Sequence, residues 1–112
     1  MKALDELCGP PEHPARLHGD LWGGNAMTAA DGAPVLVDPA AYGGHREVDL
    51  AMMRLFGGFS ERVFAAYAEA HPLADGHEER VALYQLYPLL VHVLLFGGAY
   101  VRSAQRALRA YS

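Results

Sequence analysis

Apolar residues recur at helical spacing through the second half of the chain, whereas glycines and prolines interrupt the first half. The spacing predicts four helices, over residues 46–56, 60–71, 76–96 and 99–110. Ser60 can cap the second helix, and Asp75 with Glu78 resembles a capping box at the start of the third. The third helix is apolar nearly all round from Val81 onwards, so we expect it to be buried and central.

A β-hairpin is predicted across residues 26–39. Two apolar segments flank the pair Asp31-Gly32, which supplies the positive φ angles of a tight turn. Residues 1–14 are rich in proline and have little apolar periodicity, so they are predicted to form an N-terminal linker with a short helix at 2–7. Residues 15–112 are therefore predicted to form one mainly α-helical domain with one β-hairpin.

Composition narrows the functional classes. The 112 residues are 52% apolar and carry 9 Lys+Arg against 13 Asp+Glu, so the chain is folded and offers no basic surface for nucleic acid or an anionic membrane. The single cysteine, Cys8, and the absence of an apolar leader favour the cytoplasm. The apolar stretch 86–101 is shorter than the roughly 20 residues of a bilayer-spanning helix, which indicates buried core and no membrane.

Polar residues beside glycines are concentrated between Leu17 and Pro39. Asp20 is followed five positions later by Asn25, and Asp38 stands at the end of the hairpin. Kinase-type phosphoryl transfer uses this order of residues. A carboxylate at Asp20 can orient a substrate hydroxyl and accept its proton, while Asn25 and Asp38 offer the hard oxygen ligands that Mg²⁺ prefers.

Four sequence blocks carry a resemblance to a known family: LHGDLWGGN, VDPAAYGGHREVDLAM, LFGGFSE and LYQLYPLLVH. The first, with the pattern His18-Gly19-Asp20-x-x-x-x-Asn25, resembles the catalytic loop of the aminoglycoside-phosphotransferase-like kinases. That loop is similar to the protein-kinase loop with Gly19 in place of its arginine. In their order and spacing, the blocks are similar to the fructosamine kinase (ketosamine 3-kinase) family.

The resemblance implies a C-terminal, helical lobe of a protein-kinase-like fold, spanning a catalytic loop at 18–25 and a metal-binding hairpin at 26–39. It implies an ATP-dependent and Mg²⁺-dependent kinase that phosphorylates a sugar hydroxyl of ketosamines, either small molecules or glycated protein amines. On this interpretation Asp20 is the catalytic base, and Asn25 and Asp38 hold Mg²⁺.

The resemblance also implies supporting roles around the loop. His18 would support the loop from the inside, and Asp49 would anchor it by accepting hydrogen bonds from its backbone. Trp22 would form part of the sugar-binding wall. Arg46 and Glu47 follow the metal aspartate closely, and two alternatives stay open for them: contact with substrate or an internal salt bridge.

Several parts of a complete kinase have no counterpart in this sequence. There is no Gly-rich phosphate loop, no lysine on a third strand and no partner glutamate helix before the catalytic loop. We therefore expect the isolated chain to be inactive or weak, with a nucleotide-binding lobe supplied by another polypeptide or with self-association as a homo-oligomer. One alternative is a non-catalytic remnant or binding module that associates through exposed apolar surface. Another is a Zn²⁺- or Mn²⁺-dependent hydrolase built from His18, Asp20, Asp38, His45 and Asp49.

Overall fold

The computed structural model describes residues 7–55 and 57–111. Four short strands come first: β1 (Ala15–Leu17), β2 (Ala26–Thr28), β3 (Pro34–Leu36) and β4 (Tyr42–Gly44). Four α-helices follow: α1 (Glu47–Leu55), α2 (Glu61–Ala70), α3 (His77–Phe96) and α4 (Val101–Arg109). The 3₁₀ turns are Gly23–Asn25 and Gly97–Tyr100. The fold class is mainly α, as predicted, while the short helix predicted at 2–7 falls almost entirely outside the described residues.

The strands form two antiparallel pairs. The predicted hairpin is present as β2 with β3, where Met27 lies opposite Val35, and Gly32 takes a φ of +87° in its turn. The structure adds a second pair, β1 with β4, in which Arg16 lies opposite Gly43. The prediction of a single hairpin missed this pair because three-residue strands carry too little periodicity to be recognised. The β1–β4 pair closes the segment that contains both the polar loop and the hairpin.

The helix starts differ in one respect from the prediction. Ser60 is the N-cap residue of α2, although its side chain makes no capping hydrogen bond. The capping box predicted at Asp75 is wrong, since α3 begins after Gly76, whose φ of +82° separates Asp75 from the helix. The buried Arg80 side chain instead satisfies this turn, because its Nη1 donates to the Asp75 carbonyl at 2.8 Å.

The chain divides into two compact units. Pro11–Leu73 contains the four strands with α1 and α2, and its core consists of Leu17, Leu21, Ala51, Met52 and Met53. Among the described residues, the other unit contains 74–111 together with 7–10. There α3 packs on α4, and the buried apolar residues are Leu83, Leu89, Ala104 and Ala107.

Arg46, the residue before α1, links the start of that helix to other segments of the same unit. The Arg46 guanidinium donates to both carboxylate oxygens of Glu12, at 2.9 and 3.1 Å. It also donates to the carbonyls of His71 and Pro72, at 2.9 and 2.7 Å. The internal salt bridge is therefore the alternative that the structure contains, and Glu12 contacts the folded unit from within the predicted linker.

The helix α3 is the main departure from the sequence-based expectation. Its composition predicts a buried helix, yet only Arg80, Leu83 and Leu89 are buried along its length. The helical run His77–Arg109 is also long and apolar enough to cross a membrane by length and composition, which corrects the expectation that the stretch is too short. Core helices of soluble proteins pass the same test, so the observation is weak evidence for a membrane.

Candidate active site

The polar loop begins directly after β1 and turns at Gly19. This glycine has a φ of +86°, and a Cβ on it would lie 2.6 Å from the carbonyl oxygen of Ala40. That carbonyl belongs to a residue whose own N–H donates to the carbonyl of His18 at 2.8 Å. The backbone at Gly19 therefore has neither the conformation nor the space for a side chain, which explains glycine at this point of the loop.

His18 is a buried internal support of the loop. Its Nδ1 accepts a hydrogen bond from the N–H of Asp20 at 3.2 Å, and its Nε2 lies 2.7 Å from the carbonyl oxygen of Val37. Because a backbone N–H only donates and a carbonyl only accepts, these partners assign the neutral tautomer with the proton on Nε2. Both ring nitrogens are thus occupied, and the ring joins the loop to the end of the hairpin.

Asp49 on α1 holds the loop from the opposite side. Its Oδ2 accepts the N–H of His18 at 2.7 Å, and its Oδ1 accepts the N–H of Gly19 at 3.0 Å. Both carboxylate oxygens are therefore used in charge-assisted hydrogen bonds to consecutive backbone amides. The carboxylate fixes the position of the residue just before Asp20.

Asp20 and Asn25 are in direct contact. The Asn25 amide group donates to the carbonyl oxygen of Asp20 at 2.9 Å and to its Oδ2 at 3.3 Å. The 3₁₀ turn Gly23–Asn25 brings the two residues together, and Asn25 is buried. Both of these hydrogen bonds are made by the Nδ2 of Asn25, so neither of them uses its amide oxygen.

Asp38 lies two residues after the end of β3, where the chain runs beside Asn25. The N–H of Val37 donates to the carbonyl oxygen of Asn25 at 2.9 Å, which continues the β2–β3 register by one residue. Asp38 then takes a φ of +50°, the one non-glycine residue with positive φ among the described residues. Aspartate tolerates this left-handed conformation better than most residues, and such conformations are concentrated at functional sites.

Trp22 lies on the outside of the same loop. Its side chain covers the backbone of Gly24, where a Cβ would overlap the indole ring. The residue is 42% exposed, so part of the ring remains accessible to a ligand. An exposed indole two residues after Asp20 is compatible with stacking on the apolar face of a sugar.

The donor set of the loop limits which metal ion it could hold. Asn25 offers an amide oxygen and Asp38 a carboxylate, from neighbouring backbone segments. Two protein oxygens suit Mg²⁺, which is commonly bound by one or two protein groups together with phosphate oxygens and waters. Among residues 7–55 and 57–111 no group of three His, Cys, Asp or Glu side chains could hold a metal ion, so the hydrolase alternative has no ligand cluster there.

A partly open cavity of about 230 Å³ is lined by residues of β1, α1 and α2, together with Leu21 of the loop. Leu17, Leu21 and Asp49 contribute to its wall, whereas Asp20, Asn25 and Asp38 do not. Arg46 also lines this cavity, and hydrogen bonding to Glu12 raises the pKa of its guanidinium.

Two contacts of the site could not be found from residue types. The partner of His18 Nε2 is the backbone carbonyl of Val37, and a backbone group leaves no signature in the sequence. The ion pair of Arg46 with Glu12 joins residues 34 positions apart. The sequence left an internal salt bridge of Arg46 open as one of two alternatives, without indicating Glu12 as the partner.

An aspartate in contact with an asparagine five positions later, followed by an aspartate at the end of a hairpin, is the arrangement of kinase-type phosphotransfer sites. In a mainly helical fold this arrangement defines the class of protein-kinase-like phosphotransferases. Comparison with known proteins agrees with the class and narrows it.

The family model described as Fructosamine kinase matches residues 4–111. A Thermus thermophilus protein named "Probable ketoamine kinase TTHA1179" is 50% identical over 110 residues, which cover 98% of this chain and 42% of that protein. A Lactiplantibacillus plantarum protein named "Probable ketoamine kinase" is 48% identical over 98 residues, covering 88% of this chain and 35% of that protein. The chain belongs to the fructosamine kinase family.

A solved structure supports the same assignment. The Thermobifida fusca YX-ER1 protein, provisionally named a fructosamine-3-kinase, superimposes with a TM-score of 0.89 and 56% identity. The superposition covers 96% of this chain and 37% of that one. The chain thus spans 35–42% of the length of these relatives and corresponds to the helical part of a kinase-like fold.

Proposed function

We propose that this chain carries the catalytic base and the metal ligands of an ATP-dependent kinase that phosphorylates a sugar hydroxyl of ketosamines, the products of amine glycation. The contact between Asp20 and Asn25, with Asp38 one residue beyond the Asn25–Val37 backbone bond, is the observation that carries the proposal. The names of the relatives, ketoamine kinase and fructosamine-3-kinase, support the substrate class.

Asp20 acts on the acceptor in this proposal. Its carboxylate orients the sugar hydroxyl and accepts the proton as the hydroxyl oxygen forms a bond to the γ-phosphorus of ATP and the bond to ADP breaks. The hydrogen bond from Asn25 to Oδ2 restrains the carboxylate in one orientation. Asp49 and His18 act as positioning residues, because their side chains accept hydrogen bonds from the loop backbone at His18 and Asp20.

Asn25 and Asp38 would hold Mg²⁺ through their side-chain oxygens. Bound there with the nucleotide, the ion supplies positive charge against the phosphate oxygens. Trp22 contributes an exposed aromatic surface, and its backbone N–H donates to the carbonyl oxygen of Asp20 at 3.2 Å, so it is our candidate for the sugar-binding wall. A ketosamine presents both a polyhydroxyl ring and an amine substituent, and an aromatic surface in the same loop as the base suits the ring portion.

The experiment uses a chimera in which this chain replaces the matching 37% of the Thermobifida fusca protein. With Mg·ATP and fructosyl-lysine, we expect the chimera to release ADP and to form a phosphorylated ketosamine detectable by ³¹P NMR. The isolated chain, assayed in parallel, should release ADP slowly or not at all. Transfer by the parent protein with none by the chimera would contradict the proposal, as would phosphorylation of unrelated alcohols in preference to ketosamines.

A further inference from the structure

The adjacent glycines of the block LFGGFSE, Gly57 and Gly58, lie between α1 and α2 and differ in what surrounds them. Both are exposed and have positive φ, +71° and +97°. A Cβ on Gly58 would lie 3.0 Å from the Cα of Gly23 in the polar loop, whereas a Cβ on Gly57 would meet no atom of the described residues within 4 Å. Positive φ accounts for glycine at both positions, but close contact with the loop is a property of Gly58 alone.

The contact is equally close when it is measured from the loop. A Cβ on Gly23 would lie 3.2 Å from the Cα of Gly58 and 3.3 Å from the carbonyl oxygen of Gly57. Gly23 does not have a positive φ, so its backbone conformation is open to alanine and only the contact opposes a side chain there. The two backbone segments therefore approach each other more closely than a methyl group on either residue would allow without a shift.

Gly23 begins the 3₁₀ turn that ends at Asn25. The N–H of Asn25 closes this turn by donating to the carbonyl oxygen of Trp22 at 2.9 Å, and the Trp22 ring covers the second residue of the turn, Gly24. The turn is thus packed against Gly58 at its first residue and against the indole at its second. Because one residue separates Gly23 from Asn25 and a hydrogen bond closes the turn, a shift at Gly23 also displaces Asn25.

We propose that Gly58 is a positioning residue for Asn25, because its backbone fixes the 3₁₀ turn that carries this metal ligand. The inference rests on the proposed function, since it concerns the metal site of that reaction. Asp49 and His18 hold the loop up to Asp20, and Gly58 holds the part that follows. Admitting a methyl group at the contact requires a shift of a few tenths of an ångström, and Mg²⁺ demands near-ideal ligand geometry, so a shift of this size weakens the site.

The first test measures the kinetics of the chimera with Gly58→Ala, with Gly23→Ala, and with Gly57→Ala as the matched control. We expect Gly58→Ala and Gly23→Ala to raise the KM for Mg·ATP at least about threefold, and a higher Mg²⁺ concentration to restore part of the rate. Gly57→Ala has the strain of a positive φ without the contact, so it should keep the wild-type KM. Gly23→Ala tests the contact even if Gly58→Ala does not fold. A purely structural role lowers the amount of folded enzyme, so a lower kcat with unchanged KM would overturn the proposal.

The second test needs no enzymatic activity. In the isolated chain, hydrogen exchange of the Asn25 amide reports opening of the 3₁₀ turn, because this N–H makes the closing hydrogen bond. We expect it to exchange at least about tenfold faster in Gly58→Ala and Gly23→Ala than in Gly57→Ala, with the amide of Gly19 unchanged as the internal control. Equal exchange at Asn25 in the three variants would overturn the proposal. A wild-type chimera without phosphoryl transfer would instead contradict the proposed function, while the exchange rates still decide whether Gly58 holds the turn.

Discussion

The substitution Asp49→Asn tests whether the loop is held as described. Asp49 accepts two hydrogen bonds from consecutive amides, 2.7 Å from the N of His18 and 3.0 Å from the N of Gly19. Asparagine keeps one acceptor oxygen but places an NH₂ group against the other amide, so one hydrogen bond is lost and two donors face each other. The backbone on which Asp20 stands should then loosen.

The magnitude follows from the number and type of bonds. A hydrogen bond to a charged acceptor contributes about 1.5–3 kcal/mol, so losing one and neutralising the other predicts a loss of about 2–3 kcal/mol. Asp31→Asn is the matched control. Its carboxylate accepts a single exposed hydrogen bond, from the N–H of Ala33 at 3.0 Å, so we expect a loss of about 0.5 kcal/mol or less.

Urea unfolding provides the assay, because the single tryptophan, Trp22, lies in the loop itself and its fluorescence reports on this unit. Amide hydrogen exchange adds a local readout, in which the N–H groups of His18 and Gly19 should exchange at least about tenfold faster in Asp49→Asn. If Asp49→Asn and Asp31→Asn lowered stability equally, and neither amide exchanged faster, the described support of the loop would be refuted.

Two further substitutions test local geometry. Gly19→Ala should lower the free energy of unfolding in urea by at least about 1 kcal/mol more than Gly32→Ala. Both glycines have φ near +86°, but only a Cβ at Gly19 would meet a carbonyl oxygen, that of Ala40 at 2.6 Å. Equal losses of stability in the two variants would contradict this. Burial raises the pKa of Tyr111, whose hydroxyl accepts the N–H of Leu83, so its contribution to stability is complete at neutral pH and is lost as the pH rises above about 10. The difference in the free energy of unfolding between wild type and Tyr111→Phe should therefore shrink above that pH. A constant difference would refute the described burial of the Tyr111 hydroxyl.

Much of the fold could be predicted because each element carries its own local signal. The four helices follow from apolar spacing, and the hairpin follows from Asp31-Gly32 between two apolar segments. The β1–β4 pair has no comparable signal, since its strands are three residues long and their pairing depends on long-range contacts. Local pattern fixes local structure, whereas pairing between distant short strands depends on the whole unit.

The same distinction explains α3. Its composition indicates an interior helix, but burial also depends on what lies beside the helix, and composition alone does not supply that neighbour. The left-handed backbone of Asp38 was likewise not predictable, because aspartate is compatible with several turn conformations. The spacing of Asp20, Asn25 and Asp38 could be read directly, because the family resemblance is carried by residue types at fixed intervals.

The central claim is that this loop is the phosphotransfer site. Steady-state kinetics of two separate variants of the chimera, Asp20→Asn and Asp38→Asn, tests it most directly. If Asp20 is the base and Asp38 a metal ligand, Asp20→Asn lowers kcat at least about 100-fold with little change in the KM for Mg·ATP. Asp38→Asn raises the KM for Mg·ATP, and a higher Mg²⁺ concentration restores part of the rate. Unchanged turnover in Asp20→Asn, or the reverse division of effects between the two variants, would contradict the assignment of this loop as the phosphotransfer site.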